Sequence, residues 1–104
     1  MKSTSEYIAL LKQFKEANAN KYGIVNLGLF GPVARGEQTE ESDVDIYMEG
    51  EAQSLFTAAH MKEELQELLG CKVDIVRLRD KMNLLLRKRI YRERASMYDR
   101  SPLL

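Results

Sequence analysis

The chain has 104 residues, of which 44% are hydrophobic and 31% charged, and this composition predicts one soluble domain over residues 1–104. Lysine plus arginine and aspartate plus glutamate balance at 16 each, which argues against binding bulk nucleic acid through charge alone. The single cysteine excludes an internal disulfide and a cysteine-rich zinc site. The sequence has no apolar run that approaches a membrane span and no signal-peptide segment, so we expect a cytoplasmic protein without a membrane partner.

Basic residues are concentrated near the carboxyl end of the chain. Residues 77–100 contain seven arginines and two lysines against three acidic residues. Such a segment is usually a solvent-exposed helix face, and a docking surface for phosphate or for an acidic partner is the alternative.

The amino-terminal part predicts a helix followed by a buried strand. Ser3 and Glu6 have the spacing of a capping box, in which each side chain bonds a backbone N–H of the first turn. Apolar residues then recur at helical intervals, at Tyr7, Leu10, Leu11 and Phe14. We expect this helix to end near residues 18–20, before Gly23 breaks the chain. Residues 24–30 are rich in β-branched and large apolar side chains, as a buried strand requires.

Gly31 and Pro32 end this strand. Proline suits the first turn of a helix, because its fixed φ matches and its missing N–H needs no partner there. We therefore predict a short helical turn from Pro32 to about Arg35, with its amino end facing the aspartates that follow. Residues 37–41 form a polar loop, and Ser42 leads into a second strand.

The second strand is predicted to carry Asp43 and Asp45. Because side chains alternate between the faces of a strand, both aspartates should lie on one face. The apolar residues of the opposite face are Val44, Ile46 and Met48. Two neighbouring carboxylates are costly unless a cation neutralises them. Asp74 lies in a later strand-like run, and three aspartates on neighbouring strands beside a glycine turn predict a magnesium and phosphate site.

A helix connects the second strand to the third. Ser54 is predicted to cap this helix and Gly70 to end it. Its predicted inward residues are Leu55, Phe56, Ala59, Leu65, Leu68 and Leu69. A strand, a helix and another strand form a crossover that favours parallel or mixed pairing. The sequence therefore predicts an α/β fold of the α+β kind, with a small mixed sheet and helices mainly on one face.

The last segment predicts a fourth helix, capped by Asp80. Its inward residues are predicted to be Met82, Leu85, Leu86 and Ile90. Residues 95–98 either continue this helix or fold back as a short edge strand, and the sequence leaves both possibilities open.

Residues 31–46 resemble the signature of the minimal nucleotidyltransferases (MNT) of the DNA polymerase β superfamily. The chain reads Gly-Pro-Val-Ala-Arg-Gly, five residues, and then Ser-Asp-Val-Asp-Ile. The family pattern is Gly-Ser-x-Ala-Arg-Gly, a five-residue spacer, and Ser-Asp-x-Asp followed by an apolar residue. Asp74, in a Val-Asp-Ile-Val context, matches the third carboxylate of the family, and the resemblance covers nearly the whole chain.

The resemblance implies the polymerase β-like fold and transfer of a nucleoside monophosphate from ATP or another nucleoside triphosphate to an acceptor hydroxyl. It also implies two Mg²⁺ ions. Asp43 and Asp45 would hold magnesium on the triphosphate, and Asp74 would bind the second ion and help to deprotonate the acceptor. The implied phosphate-binding positions are Gly31, Pro32, Arg35 and Ser42.

Small members of this family are commonly paired with a helical HEPN-domain toxin, which they neutralise by attaching adenylyl groups from ATP, often to a tyrosine. The resemblance therefore implies an antitoxin with a HEPN-type partner. A chain of 104 residues has little length left for a domain that grips base and acceptor, so a partner or a second copy of the chain should complete the pocket.

Pro32 departs from the family pattern, which has serine at this position. Proline supplies neither a hydroxyl nor a backbone N–H to phosphate, and losing one charge-assisted hydrogen bond costs about 1.5–3 kcal/mol. The alternative hypothesis is therefore a catalytically impaired antitoxin, or a nucleotide-binding module, that neutralises its partner by binding alone.

Structural interpretations exist for several of these residues. Asp43 and Asp45 could be solvent-facing residues of an edge strand, although the adjacent glycine turn favours the metal site. An arginine in a tight loop more often pairs with a nearby acid, so we favour pairing of Arg35 with Glu37 or Asp43 over binding of phosphate. Ser42 could serve only to orient its loop through backbone bonds.

Overall fold

A computed structural model describes residues 2–96, in which helices and strands alternate along the chain. The elements in order are α1 (Thr4–Tyr22), β1 (Ile24–Phe30), α2 (Gly31–Ala34), β2 (Val44–Gly50), α3 (Leu55–Leu69), β3 (Val73–Arg77), α4 (Leu84–Glu93) and β4 (Ala95–Ser96). This order confirms the predicted α/β class. No helix in this part of the chain combines the length and the apolar character that a membrane span needs.

The strands form one mixed sheet in the order β3-β2-β1-β4. β2 and β3 run parallel, joined by the α3 crossover, as the strand–helix–strand pattern predicts. β1 is antiparallel to β2, and the two-residue β4 is antiparallel to β1. Of the two possibilities for residues 95–98, the edge strand is correct for residues 95 and 96. Met97 and Tyr98 lie outside the described residues.

Local sequence fixes both ends of α1. Ser3 and Glu6 form the predicted capping box, because each side chain accepts a hydrogen bond from the backbone N–H of the other residue. The helix continues past its predicted end at residues 18–20, because its last residue, Tyr22, is buried against the core. Gly23, at a φ of +65°, then provides the left-handed stop.

The two long helices cover one face of the sheet. α1 and α3 bury their apolar residues in a core that includes Leu29 and Ile46, which confirms helices mainly on one face. On the opposite face, Ile90 of α4 packs in a smaller cluster with Tyr47 of β2. Asp45 is two residues before Tyr47 on the same strand, so it projects from this second face, beside α4.

The buried stripe of α3 differs from the predicted one. The buried residues are Met61, Leu65 and Leu69. Leu55 and Phe56 were predicted to face inward but are 89% and 90% exposed, and Ala59 is exposed as well. The reason is helical phase: at 3.6 residues per turn, positions five and six residues before Met61 do not lie above it. Both predicted caps of this helix are correct.

α4 begins later than predicted. Asn83 rather than Asp80 caps it, and its side-chain oxygen accepts from the Leu86 N–H at 3.1 Å. The preceding residues form a turn, in which the Met82 N–H donates to the Arg79 carbonyl. Leu85 was predicted to be buried and is instead 78% exposed, because it lies about 100° around the helix from the inward-facing Leu86. The residues that pack inward as predicted are Met82, Leu86 and Ile90.

Candidate active site

The parallel pairing of β2 and β3 brings Asp45 and Asp74 side by side. The two residues are register partners, so both side chains project from the same face of the sheet. Asp45 is partly buried, whereas Asp74 is exposed. Burial raises the pKa of the Asp45 carboxyl, and the neighbouring charge of Asp74 raises it further. A cation bound beside both carboxylates would remove this repulsion.

Asp43 lies just before β2, which begins at Val44, and this corrects the prediction of two aspartates within one strand. The preceding loop is closed by Ser42, whose hydroxyl oxygen accepts from the Thr39 N–H at 3.0 Å and whose N–H donates to the Thr39 carbonyl at 3.1 Å. Ser42 therefore orients the loop. The turn delays strand pairing until Val44 and leaves Asp43 exposed, although its charge still contributes to the raised pKa of Asp45, after burial and Asp74.

Gly31 places the backbone directly against the Asp45 carboxylate. Its φ is +76°, in the left-handed region that favours glycine. A Cβ atom at this position would lie 2.4 Å from Asp45 Oδ2, so only a hydrogen fits between backbone and carboxylate. α2 opens at this glycine with Pro32 in its first turn. The predicted contact between the glycine turn and the aspartates is thus confirmed for Asp45.

Arg35 pairs with acidic side chains. Its Nε donates to Glu37 Oε1 at 3.0 Å, and its Nη1 lies 3.0 Å from Glu93 Oε2. The hydrogen bond to Glu37 and the charge of Glu93 raise the pKa of Arg35. Of the two acids named from sequence, Glu37 is the partner, and Glu93 adds a second one. A role for Arg35 in binding phosphate stays a prediction.

α4 contributes two charged residues that sequence interpretation missed. Burial and Asp74 raise the pKa of Asp45, and the positive charge of Arg89 acts in the opposite direction, so this guanidinium lies within electrostatic reach of the site. Glu93 pairs with Arg89, Nε to Oε1, at 3.2 Å. Their four-residue spacing was the available sequence signal, since such residues are neighbours on a helix. The sequence does not show that this side of α4 lies next to the aspartates.

A cavity of about 660 Å³ opens beside Asp45 and Asp74. The other residues that line it include Phe30, Gln53, Lys62, Val76 and Arg77. Its volume is in the range of cavities that hold small-molecule ligands and cofactors. A lining that is mainly apolar but includes two carboxylates and two basic side chains suits a ligand that carries both an apolar ring and a charged group.

The described acids supply only part of a coordination shell. Within residues 2–96, no three histidine, cysteine or acidic side chains are grouped closely enough to hold a metal ion unaided. Magnesium is commonly held by one or two carboxylates, with substrate phosphates and water as its other ligands. The pair formed by Asp45 and Asp74 therefore suits a cation that arrives together with phosphate.

Comparison with known proteins identifies relatives of the chain. Residues 12–103 match the family model described as Polymerase beta, Nucleotidyltransferase. The chain is 38% identical over 93 residues to "Putative protein adenylyltransferase MJ1379" of Methanocaldococcus jannaschii, which covers 86% of this chain and 93% of that protein. It is 36% identical over 77 residues to protein adenylyltransferase MntA of Thermococcus cleftensis, covering 73% of this chain and 78% of that protein.

Two solved structures share the fold. The structure of a "putative minimal nucleotidyltransferase" has a TM-score of 0.76 at 32% identity and covers 92% of this chain and 97% of its own. A chain from the complex of tri-AMPylated Shewanella oneidensis HEPN toxin with MNT antitoxin has a TM-score of 0.65 at 18% identity, covering 88% of this chain and 69% of its own. This second likeness shows the fold alone. The chain belongs to the polymerase β nucleotidyltransferase family, and it is a nucleotidyltransferase.

Proposed function

We propose that this chain is a Mg²⁺-dependent protein adenylyltransferase that transfers AMP from ATP to a hydroxyl of a HEPN-type toxin and so acts as its antitoxin. The observation that carries the proposal is the register pairing of Asp45 with Asp74 beside the Gly31 turn. The names of both relatives support the adenylyl group as the one transferred. The complex of an MNT antitoxin with a HEPN toxin supports the class of partner.

Asp43, Asp45 and Asp74 are the proposed magnesium ligands. Burial and the charge of Asp74 raise the pKa of Asp45, and this fits a cation site, because a bound cation would stabilise the charged form that burial and Asp74 disfavour. When bound, magnesium would neutralise the triphosphate and orient it for in-line displacement. Two ions, as the family resemblance implies, would require all three carboxylates together with phosphate and water oxygens.

Asp74 is the residue proposed to assist the acceptor. It is the more exposed member of the pair, so an incoming hydroxyl can reach its carboxylate. The acceptor oxygen forms a bond to the α-phosphorus of ATP, the bond to the leaving pyrophosphate breaks, and Asp74 takes up the hydroxyl proton. Asp45, which lies against Gly31, is proposed to hold the magnesium that is bound to the triphosphate of ATP.

The turn at Gly31 and the loop that follows it are the proposed phosphate-binding side. With only a hydrogen on its Cα, Gly31 allows a phosphate to approach the backbone closely. Arg35 offers a guanidinium that can bind two phosphate oxygens at once. Ser42 is proposed to act by holding the loop in place. Pro32 has no N–H to donate, so it contributes only the shape of the turn.

The acceptor hydroxyl is proposed to come from outside this chain. Asp74 is exposed on β3, which is an edge strand of the described sheet, so a group from outside the chain can reach its carboxylate. A docked HEPN-type toxin would close it, and a second copy of the chain is the other candidate for that place. With ATP as donor, we propose that the reaction takes place in the cytoplasm.

Incubation of the chain with Mg²⁺, α-labelled ATP and its HEPN-type partner should transfer label to that partner. Asp74→Asn is expected to slow the transfer by about 10²–10⁴-fold, because metal-ion stabilisation is worth several kcal/mol. Asp80→Asn is the matched control, since Asp80 is 96% exposed and its carboxylate pairs with Arg87 instead of lying beside Asp45. Equal label transfer by the two variants would contradict the proposed function.

Pro32 favours one second candidate, an antitoxin that neutralises its partner by binding alone. In that case the wild type and Asp74→Asn suppress toxicity equally, and neither transfers label. Pro32→Ser separates the two candidates. Restoring the hydroxyl and the N–H should raise the transfer rate of an impaired enzyme about 10- to 100-fold, whereas a binding module gains nothing.

A further inference from the structure

Glu93 is held by two guanidinium groups at the edge of the proposed phosphate site. Its Oε1 accepts from Arg89 Nε at 3.2 Å, and its Oε2 lies 3.0 Å from Arg35 Nη1. Only 15% of the Glu93 side chain is exposed. Each carboxylate oxygen thus has its own guanidinium partner, which distinguishes this arrangement from a loose surface ion pair.

The same carboxylate lies at the glycine turn. Burial by itself raises the pKa of Glu93, but Arg89, the charge of Arg35 and a hydrogen bond from the Gly31 backbone hold it below the ordinary value. Gly31 is also the residue that touches Asp45. A triphosphate placed on a cation at Asp45 would therefore meet Glu93 and both guanidiniums.

A carboxylate and a phosphate compete for the same donors in this arrangement. The planar guanidinium fork of arginine binds either group through paired N–H donors. A phosphate carries more negative charge and more acceptor oxygens than a carboxylate, so it can take over both guanidiniums. The two anions cannot share the place, because like charges at hydrogen-bonding separations repel strongly.

We infer that Arg89 joins Arg35 in binding the triphosphate, and that Glu93 is an internal anion which occupies this arginine pair until the nucleotide arrives. The inference rests on the proposed function, because it names the residues that receive the triphosphate of the proposed substrate. Arg89 is suited to this role because it pairs with Glu93 and its charge also acts on Asp45.

Calorimetric titration of inorganic tripolyphosphate into metal-free protein tests this inference without any reaction. Glu93→Gln keeps the side-chain shape but removes the competing charge, and it should bind tripolyphosphate at least about tenfold more tightly than wild type. Glu37→Gln is the matched control, because Glu37 is the other partner of Arg35 and is 64% exposed. This control should change the affinity by less than about threefold. Arg89→Ala should weaken binding by at least about threefold.

If Glu93→Gln binds tripolyphosphate no more tightly than wild type, the inference is overturned. Glu93 would then have only a structural role, connecting α4 to the Gly31 turn. If Glu93→Gln does not fold, Arg89→Ala decides, and an affinity equal to wild type overturns the inference. These results do not depend on label transfer. If Glu93→Gln binds tripolyphosphate more tightly but the wild type transfers no AMP, the proposed function is rejected and the inference about the phosphate site is retained.

Discussion

Asp45→Asn is expected to slow AMP transfer severely and yet to make the metal-free protein more stable than wild type at neutral pH. The rate should fall by about 10²–10⁴-fold, because a metal ion on the transferring phosphate is worth several kcal/mol. The gain in stability follows from the raised pKa of Asp45. Burial and repulsion from Asp74 disfavour the charged carboxylate, and asparagine carries no charge.

The stability of the metal-free wild type should fall, relative to Asp45→Asn, as the pH rises. A carboxyl with a folded-state pKa above its unfolded value binds its proton more tightly in the folded state, so the free energy of unfolding decreases through that pH interval. The two proteins should converge below the ordinary aspartate pKa of 3.8. Urea denaturation in EDTA at several pH values measures the difference. A variant less stable than wild type at neutral pH would contradict this account of Asp45.

Gly31→Ala is expected to lower both stability and activity. A side chain at a φ of +76° costs about 1–3 kcal/mol in the free energy of unfolding. The added methyl group would also lie 2.4 Å from Asp45 Oδ2, so the carboxylate must turn away. A displacement of about 1 Å in a positioned group can cost about 100-fold in rate. Denaturation curves and label transfer on the same preparation measure the two losses.

Gly36→Ala is the control for backbone strain. Its φ of +73° is nearly that of Gly31, but no heavy atom lies within 4 Å of the position that its Cβ would take. It should therefore lose about 1–2 kcal/mol of stability and keep most of its transfer rate. If both alanine variants lost the same activity, the contact between Gly31 and Asp45 would not be the cause.

Local chemistry made much of the fold predictable. The capping box of Ser3 and Glu6 and the proline after Gly31 each act within a few residues, so the elements that they start could be placed from sequence. The crossover between β2 and β3 followed from the order of elements, and it implied that Asp45 and Asp74 would lie on neighbouring strands. The proximity of Asp45 and Asp74 was therefore predictable from topology, whereas alternation wrongly placed Asp43 in a strand that begins only at Val44.

The residues that were misplaced depend on helical phase and on distant packing. Leu55 and Phe56 are apolar like their buried neighbours, and only the orientation of α3 on the sheet shows that they face solvent. Glu93 is far in sequence from Arg35, and their contact depends on where α4 lies. The basic composition of residues 77–100 predicted a solvent-exposed helix face. The contact between this helix and the Gly31 turn became visible only in the three-dimensional structure.

Cation binding by the aspartate pair is the most direct test of the account. Mn²⁺ can be titrated into wild type, Asp45→Asn, Asp74→Asn and the double variant, each with a non-hydrolysable ATP analogue. Each single variant should bind Mn²⁺ at least about 10- to 100-fold more weakly, and the double variant should lose little more, because both residues hold one of the two proposed ions in common. Wild-type affinity in either single variant, or losses that simply multiply in the double variant, would contradict a shared cation site.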